Sequence, residues 1–194
     1  MCCDGGVNAH GMSTGTDPAA LCSVAERIAA EAADYVRSRR PEVFAGNHDA
    51  AVRTKSTPTD PVTVVDTETE ALLRERLAQL RPGDPVLGEE GGGPTAADTA
   101  AGVVTWALDP IDGTVNFVYG IPVYAVSVAA RIDGVSVAGA VADVAAGELY
   151  SGAQRLGCSQ SCCRRSATSA GWVRPRWICA WSPAADWTPT TSTV

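Results

Sequence analysis

The stretch Val103-Val104-Thr105-Trp106-Ala107-Leu108-Asp109-Pro110-Ile111-Asp112-Gly113-Thr114 decides how this chain folds. Its first six residues are mainly β-branched, aromatic or apolar, the composition of a strand, and the run stops on a carboxylate, Asp109. Pro110 fixes the backbone as the chain leaves the strand, and Gly113-Thr114 permits a tight turn into a helix start or a loop. A second short apolar run, Val86-Leu87-Gly88, ends in the same way on Glu89 and Glu90. Two strand ends thus deliver acids, and oxygen-only ligands of this kind suit a hard cation such as magnesium. Ile111 could enter such a site only through its carbonyl oxygen, and the N–H groups at Gly113-Thr114 could hold a phosphate. Taken singly, Asp-Pro and Asp-Gly are turns far more often than metal sites, Glu-Glu-Gly is a solvated loop, Lys55 a surface lysine and Asp66 a helix cap.

Toward the N-terminus the period is helical. Asp17-Pro18 pairs an N-cap acceptor with the residue best suited to the first helical position. Leu21, Val24, Ala25, Ile28, Ala32 and Val36 then recur at helical spacing, and Pro41 is the stop, so a helix is predicted over 18–40. Pro61 to Asp66 leads into a second helix carrying Leu72, Leu73, Leu77 and Leu80, closed by Pro82-Gly83. Toward the C-terminus the period is that of strands: Val123 to Ile132, an Asp133-Gly134 hairpin turn, Val135 to Val144, and a last strand from Gly147 through Tyr150. Helices first and an antiparallel meander afterwards spell a layered α+β fold.

With 194 residues, 45% hydrophobic and 19% charged, the chain can bury a real core and is neither fibrous nor disordered in class. A net charge of −7 and a pI of about 4.8 argue against a nucleic-acid partner, which needs a basic surface. An acidic protein that handles phosphate must concentrate cations locally, and metal ions do so. There is no signal peptide and no apolar run of membrane-spanning length, which makes the cytoplasm the default and a membrane partner unexpected. The seven cysteines form neither a disulfide framework nor a zinc spacing. Met12 opens a more ordinary start than Met1, and residues 1–16 read as a disordered tail.

The joint occurrence of three segments resembles the inositol monophosphatase family. They are Lys55-Ser56 with Thr59-Asp60-Pro61-Val62-Thr63-Val64-Val65-Asp66, then Leu87-Gly88-Glu89-Glu90-Gly91, then Trp106 through Asp109-Pro110-Ile111-Asp112-Gly113-Thr114 to Phe117. The last is the most specific, and with the later strands the resemblance covers about 20–152, in the manner of the actinobacterial inositol-1-monophosphatases. It implies a layered α/β sandwich of the inositol monophosphatase and sugar phosphatase type, of which this chain holds the N-terminal half. It implies Mg2+ bound by Glu89, Asp109, Asp112 and the Ile111 carbonyl, and a nucleophilic water positioned by Thr114 with the help of Asp66. Asp112, Gly113 and Thr114 are implied to meet the substrate, with Lys55 near the site. The implied substrate is a small phosphate monoester, foremost inositol monophosphate, with fructose-1,6-bisphosphate and 3′-phosphoadenosine 5′-phosphate as alternatives. Lithium commonly inhibits such enzymes, and they are usually homodimers.

After about residue 153 the character of the chain changes. Residues 158–194 hold four of the seven Cys and four of the five Trp, with no sustained period, and the family's later WDxAAG motif is absent. When the last base of each codon is joined to the first two of the next, Trp172-Val173 must encode glycine, Trp177-Ile178 aspartate, Asp186-Trp187 leucine and Trp187-Thr188 aspartate. These letters fall on a family helix that reads roughly GSAALDLC..AAGRLDAYYEHG. The expectation is therefore a phosphatase portion over 17–152 carrying the metal site, followed over 153–194 by a disordered tail translated out of frame. Such a chain would be an impaired enzyme or an inactive fragment.

Overall fold

The computed structural model describes residues 15–44, 52–54, 61–95, 97–154 and 161–166; Lys55 and the stretches 1–14 and 167–194 lie outside them. Helix α1 runs Pro18–Phe44. The Asp17 carboxylate accepts the N–H groups of Ala19 and Ala20, each at 3.3 Å, and so caps the first turn. Leu21, Ala25, Ile28, Ala29, Ala32 and Val36 form its buried stripe, and the alanines let the helix lie close against the sheet. The sequence places the end of this helix before Pro41, but it continues one further turn. An interior proline costs roughly 3 kcal/mol; here the last turn gains contacts that offset it. The Arg40 guanidinium lies 5.3 Å from the Phe44 ring centre and 5.5 Å from that of Phe117, and its Nε donates to the Phe117 carbonyl at 3.0 Å. Phe44 meets Phe117 edge to face at 5.5 Å.

Strands β1 (Val52–Thr54) and β2 (Pro61–Thr63) form a small antiparallel pair that leads into α2, Val64–Leu80. Its buried face holds Val65, Asp66, Thr69, Glu70, Leu73 and Leu77. The remaining strands are β3 (Val86–Gly88), β4 (Val104–Asp112), β5 (Ala125–Ile132), β6 (Val135–Asp143), β7 (Glu148–Gln154) and β8 (Ser161–Ser166). They form one sheet in that order. Helix α1 packs on β5, β6 and β7, while α2 lies beside α1 against β4, so a layer of helices covers a sheet as the α+β reading requires. Trp106 and Phe117 are the largest side chains sealed in the core between them. The β5–β6 hairpin turns at Asp133 and Gly134, with φ of 52° and 79°, the positive values a two-residue hairpin needs. Among the described residues no helix is long and apolar enough to cross a membrane.

Two expectations are corrected. The sheet is not an antiparallel meander throughout, because β3 pairs with β4 in parallel. A parallel neighbour needs a crossover of about a dozen residues or more, and the long connection 89–103 supplies it. Nor is the chain after residue 153 without elements, since β8 extends the sheet by antiparallel pairing with β7. That pairing uses backbone N–H and C=O groups, which require no side-chain period, and it covers an edge that β7 would otherwise expose.

Candidate metal centre

The parallel register of β3 on β4 sets Gly88 opposite Leu108. The next residue of each strand is an acid, so Glu89 and Asp109 emerge side by side at one end of the sheet. An antiparallel pairing would have sent them to opposite ends. Past Asp109 the β4 strand bulges: Asp109 pairs with Ser127 and Asp112 with Ala125, three steps along β4 answering two along β5. The extra residue falls at Pro110-Ile111, where proline has no N–H to give the ladder. The bulge turns the chain so that Asp112 reaches the strand end and the Ile111 carbonyl faces the next turn.

That turn opens α3, Thr114–Tyr119. Gly113 stands at its N-cap with φ of 91°, a left-handed conformation that a side chain would strain, and a Cβ there would lie 3.0 Å from the Val123 carbonyl oxygen. Thr114 Oγ1 consequently sits 2.9 Å from the Ile111 carbonyl oxygen and 3.2 Å from Asp66 Oδ1. A hydroxyl has one proton for these two acceptors. Asp66 itself is almost wholly buried, at 1% exposure. Its Oδ2 accepts the Thr63 N–H at 2.9 Å and the Thr63 hydroxyl at 2.5 Å, closing the capping box of α2. Burial pushes its carboxyl above the usual aspartate range, against the pull of the Thr63 and Thr114 hydrogen bonds.

Asp109 is pushed up to about 8, first by burial and then by the charges of Glu89 and Asp112, and it shares a hydrogen bond with Glu89. Asp112 is also raised, by partial desolvation of its carboxylate and by Glu89. Among the described residues no three acidic, histidine or cysteine side chains close on a single point. The donor set nonetheless fits a hard cation. Asp109 Oδ1 is buried and has no hydrogen-bond partner among the described residues. A buried carboxylate oxygen left without a donor is costly, and the acids crowding it add repulsion that a cation would reverse. Every donor present is oxygen.

The structure thus gathers Glu89, Asp109 and Asp112 at one sheet end and Asp66, Thr114 and the Ile111 carbonyl at the adjoining turn; Lys55 lies outside the described residues. Sequence reasoning missed Glu70 and Arg74. Glu70 is 3% exposed and accepts the N–H groups of Glu90 at 2.7 Å and Gly91 at 2.9 Å. Arg74 Nε donates to Glu70 at 2.8 Å. A signal was there: Glu70 falls on the stripe Asp66, Thr69, Leu73, Leu77 that α2 buries, a position where a charge needs partners.

The family model described as the Inositol monophosphatase family matches residues 17–174. An inositol-1-monophosphatase of Mycobacterium bovis is 68% identical over 146 residues, 73% of this chain and 50% of its own length. Among solved structures, Mycobacterium tuberculosis SuhB superposes with a TM-score of 0.56 at 59% identity, over 71% of this chain and 46% of that one. A SuhB from Bartonella henselae gives a TM-score of 0.61 at 28% identity, over 78% of this chain and 55% of its own. The chain spans about half the length of the relatives it matches. On the match to residues 17–174 and the level of identity together, the chain belongs to the inositol monophosphatase family.

Proposed function

We propose that this chain carries the metal- and water-handling part of a magnesium-dependent phosphatase that cleaves inositol monophosphate to inositol and phosphate. One observation above all supports the reading: the parallel β3–β4 register brings Glu89 beside Asp109, whose buried Oδ1 lacks a hydrogen-bond partner among the described residues. Glu89, Asp109, Asp112 and the Ile111 carbonyl would hold the cation. Bound magnesium would supply positive charge to the phosphoryl oxygens and to the leaving oxygen.

The chain's own residues handle the water. Thr114 Oγ1 donates to Asp66 Oδ1, which leaves a lone pair on Oγ1 to accept a proton from a water lying over the turn. As the water oxygen bonds to phosphorus, its proton passes to Thr114 and the threonine proton to Asp66. Asp66 is suited to receive it because burial raises its carboxyl. The bond from phosphorus to the ester oxygen breaks, that oxygen leaves with a proton from solvent, and Asp66 returns its proton to solvent, which balances the hydrolysis. The turn amides of Gly113 and Thr114 would meet the phosphate oxygens, and Asp112 would meet both cation and substrate. The M. bovis relative named for inositol 1-monophosphate favours that substrate class.

The test is phosphate release from inositol 1-phosphate with and without magnesium, in wild type and in Asp109→Asn. Magnesium-dependent release that Asp109→Asn abolishes is expected. Release that ignores both metal and substitution would falsify the proposal, and faster turnover of fructose-1,6-bisphosphate or 3′-phosphoadenosine 5′-phosphate would reassign the substrate.

A further inference from the structure

The loop that carries Glu89 is held from below by α2. Glu70 spends its two carboxylate oxygens on consecutive backbone amides of that loop, Oε2 on Glu90 N–H at 2.7 Å and Oε1 on Gly91 N–H at 2.9 Å. Arg74, one turn further along the same helix face, anchors Glu70 through Nε and spreads its other two nitrogens across the base of the loop. Its Nη1 reaches the Val86 carbonyl at 3.3 Å and its Nη2 the Gly92 carbonyl at 2.5 Å. Gly92 O also accepts Gly88 N–H at 3.0 Å, so both ends of the 88–92 turn are tied to the same bracket. The fit leaves no room for a side chain: a Cβ at Gly91 would stand 2.6 Å from Glu70 Oε1, and one at Gly88 would strike the same carboxylate. Charge-assisted bonds to fixed backbone groups are both strong and directional. With the Gly88–Gly92 backbone bond, they hold the backbone on both sides of residue 89, at Gly88 and at Glu90 to Gly92.

We infer that Glu70 and Arg74 are positioning residues, which set the register of the Gly88–Gly92 turn so that Glu89 is delivered beside Asp109 for cation binding. This rests on the reading that Glu89 and Asp109 hold the cation. Neither Glu70 nor Arg74 is assigned to the ion or the substrate; they act through the backbone of the residues that follow Glu89. Glu70→Gln replaces one oxygen with an amide that cannot accept, so one of the two loop N–H groups loses its partner. Gly91→Ala reaches the same end from the loop side, outside the packing of α2, by displacing the Glu70 carboxylate.

Magnesium chloride titrated into each protein by calorimetry reads the effect without turnover, and circular dichroism melts read folding. Residues that orient a ligand from behind typically change metal affinity 10–100-fold, so Glu70→Gln and Gly91→Ala are expected to weaken magnesium binding by about tenfold or more. The magnesium concentration needed for half-maximal phosphate release rises in parallel, while kcat at saturating magnesium stays within about twofold, because excess cation can pull Glu89 into place. Glu68→Gln, which breaks an ion pair to Arg39 on another face of α2, is the control for a loss of stability alone. Magnesium affinity that is unchanged in Glu70→Gln and Gly91→Ala, or reduced alike in all three variants, overturns the inference and leaves the phosphatase reading standing. A wild-type protein that takes up no magnesium overturns both.

Discussion

Asp66 divides its two carboxylate oxygens between the helix cap and the Thr114 hydroxyl. Oδ2 closes the helix cap with Thr63, and Oδ1 faces the Thr114 hydroxyl. The sequence taken one residue at a time reads Asp66 as a cap, and the family resemblance reads it as a partner of Thr114; both are compatible with one side chain. The division can be separated by substitution. Thr63 is the N-cap and Asp66 the third helical residue, and in Asp66→Asn the amide oxygen can still accept the Thr63 N–H there, as a neutral amide does in a capping box. The NH2 group then faces Thr114 and donates where a carboxylate accepted, so the threonine can no longer pass its proton on. The expected result is a melting temperature close to wild type with kcat reduced by about 10²–10⁴-fold, the usual range for a lost proton acceptor. Thr114→Ala should lose a similar factor and Thr114→Ser should recover most of it, because serine keeps the hydroxyl. Equal activity in the alanine and serine variants, measured by phosphate release, would remove Thr114 from the mechanism.

At the scale of elements, the legible features were those written in local chemistry. The Asp17-Pro18 start of α1, the Asp133-Gly134 hairpin and the strand that leads into Asp109 all follow from a few adjacent residues, whereas the continuation of β4 through a bulge to Asp112 does not. What escaped was set by partners distant in sequence. Pro41 lies inside α1 because Arg40 and Phe44 find Phe117, 73 or more residues away, and β3 is parallel to β4 although nothing in Val86-Leu87-Gly88 states a direction. Glu70 shows in the sequence only as a charge on the buried stripe of α2; its partners, backbone amides twenty residues on, do not show there. The junction of α1 with α2 makes a testable case of such long-range pairing. Glu68 accepts a two-pronged bond from Arg39, at 2.9 and 3.1 Å, and a bond from the Tyr35 hydroxyl at 2.8 Å. The Arg39 hydrogen bond holds the Glu68 carboxyl below the ordinary glutamate value of 4.5. A depressed acid adds stability that is present above pH 4.5 and is lost as pH falls through the lower folded value. Tyr35 is raised above 10, by burial and then by Glu68, so its share is present below pH 10 and is lost as pH rises through the higher folded value. Because the Arg39 and Glu68 side chains are each about a third exposed, at 31%, the pair is worth no more than about 1 kcal/mol. Urea titrations from pH 3 to 7 should show Glu68→Gln losing stability at pH 7 and converging on wild type at acid pH; curves that stay parallel throughout would remove Glu68 from the acid limb.

For the molecule as a whole, the described residues make a helix layer on a sheet that carries Glu89, Asp109 and Asp112 at one end. Beyond residue 153 side-chain pattern gives out, although the sheet gains β8 and the family match reaches residue 174. The expectation of an out-of-frame tail is checked on the gene: a nucleotide sequence in which the family helix and then WDxAAG read in a shifted frame past codon 160 bears it out, and uninterrupted codons without an internal deletion or slip refute it. The coupling of site to fold gives a measurement on the protein itself. Glu89, Asp109 and Asp112 are held together by β3, β4 and the bulge, so the repulsion among them is a charge that the native sheet carries and the unfolded chain does not. A cation that binds the native cluster and not the unfolded chain must therefore stabilise the fold, by about 2.7 kcal/mol when its concentration is a hundred times its dissociation constant. Removing magnesium with a chelator should lower the melting temperature of wild type and leave Asp109→Asn unmoved. In the chelator, Asp109→Asn should melt at or above wild type, since a neutral amide relieves both burial and repulsion at that position. A melting temperature that rises with magnesium equally in both proteins would mean that the ion acts elsewhere, and the convergence of Glu89 with Asp109 would then be a feature of the fold alone.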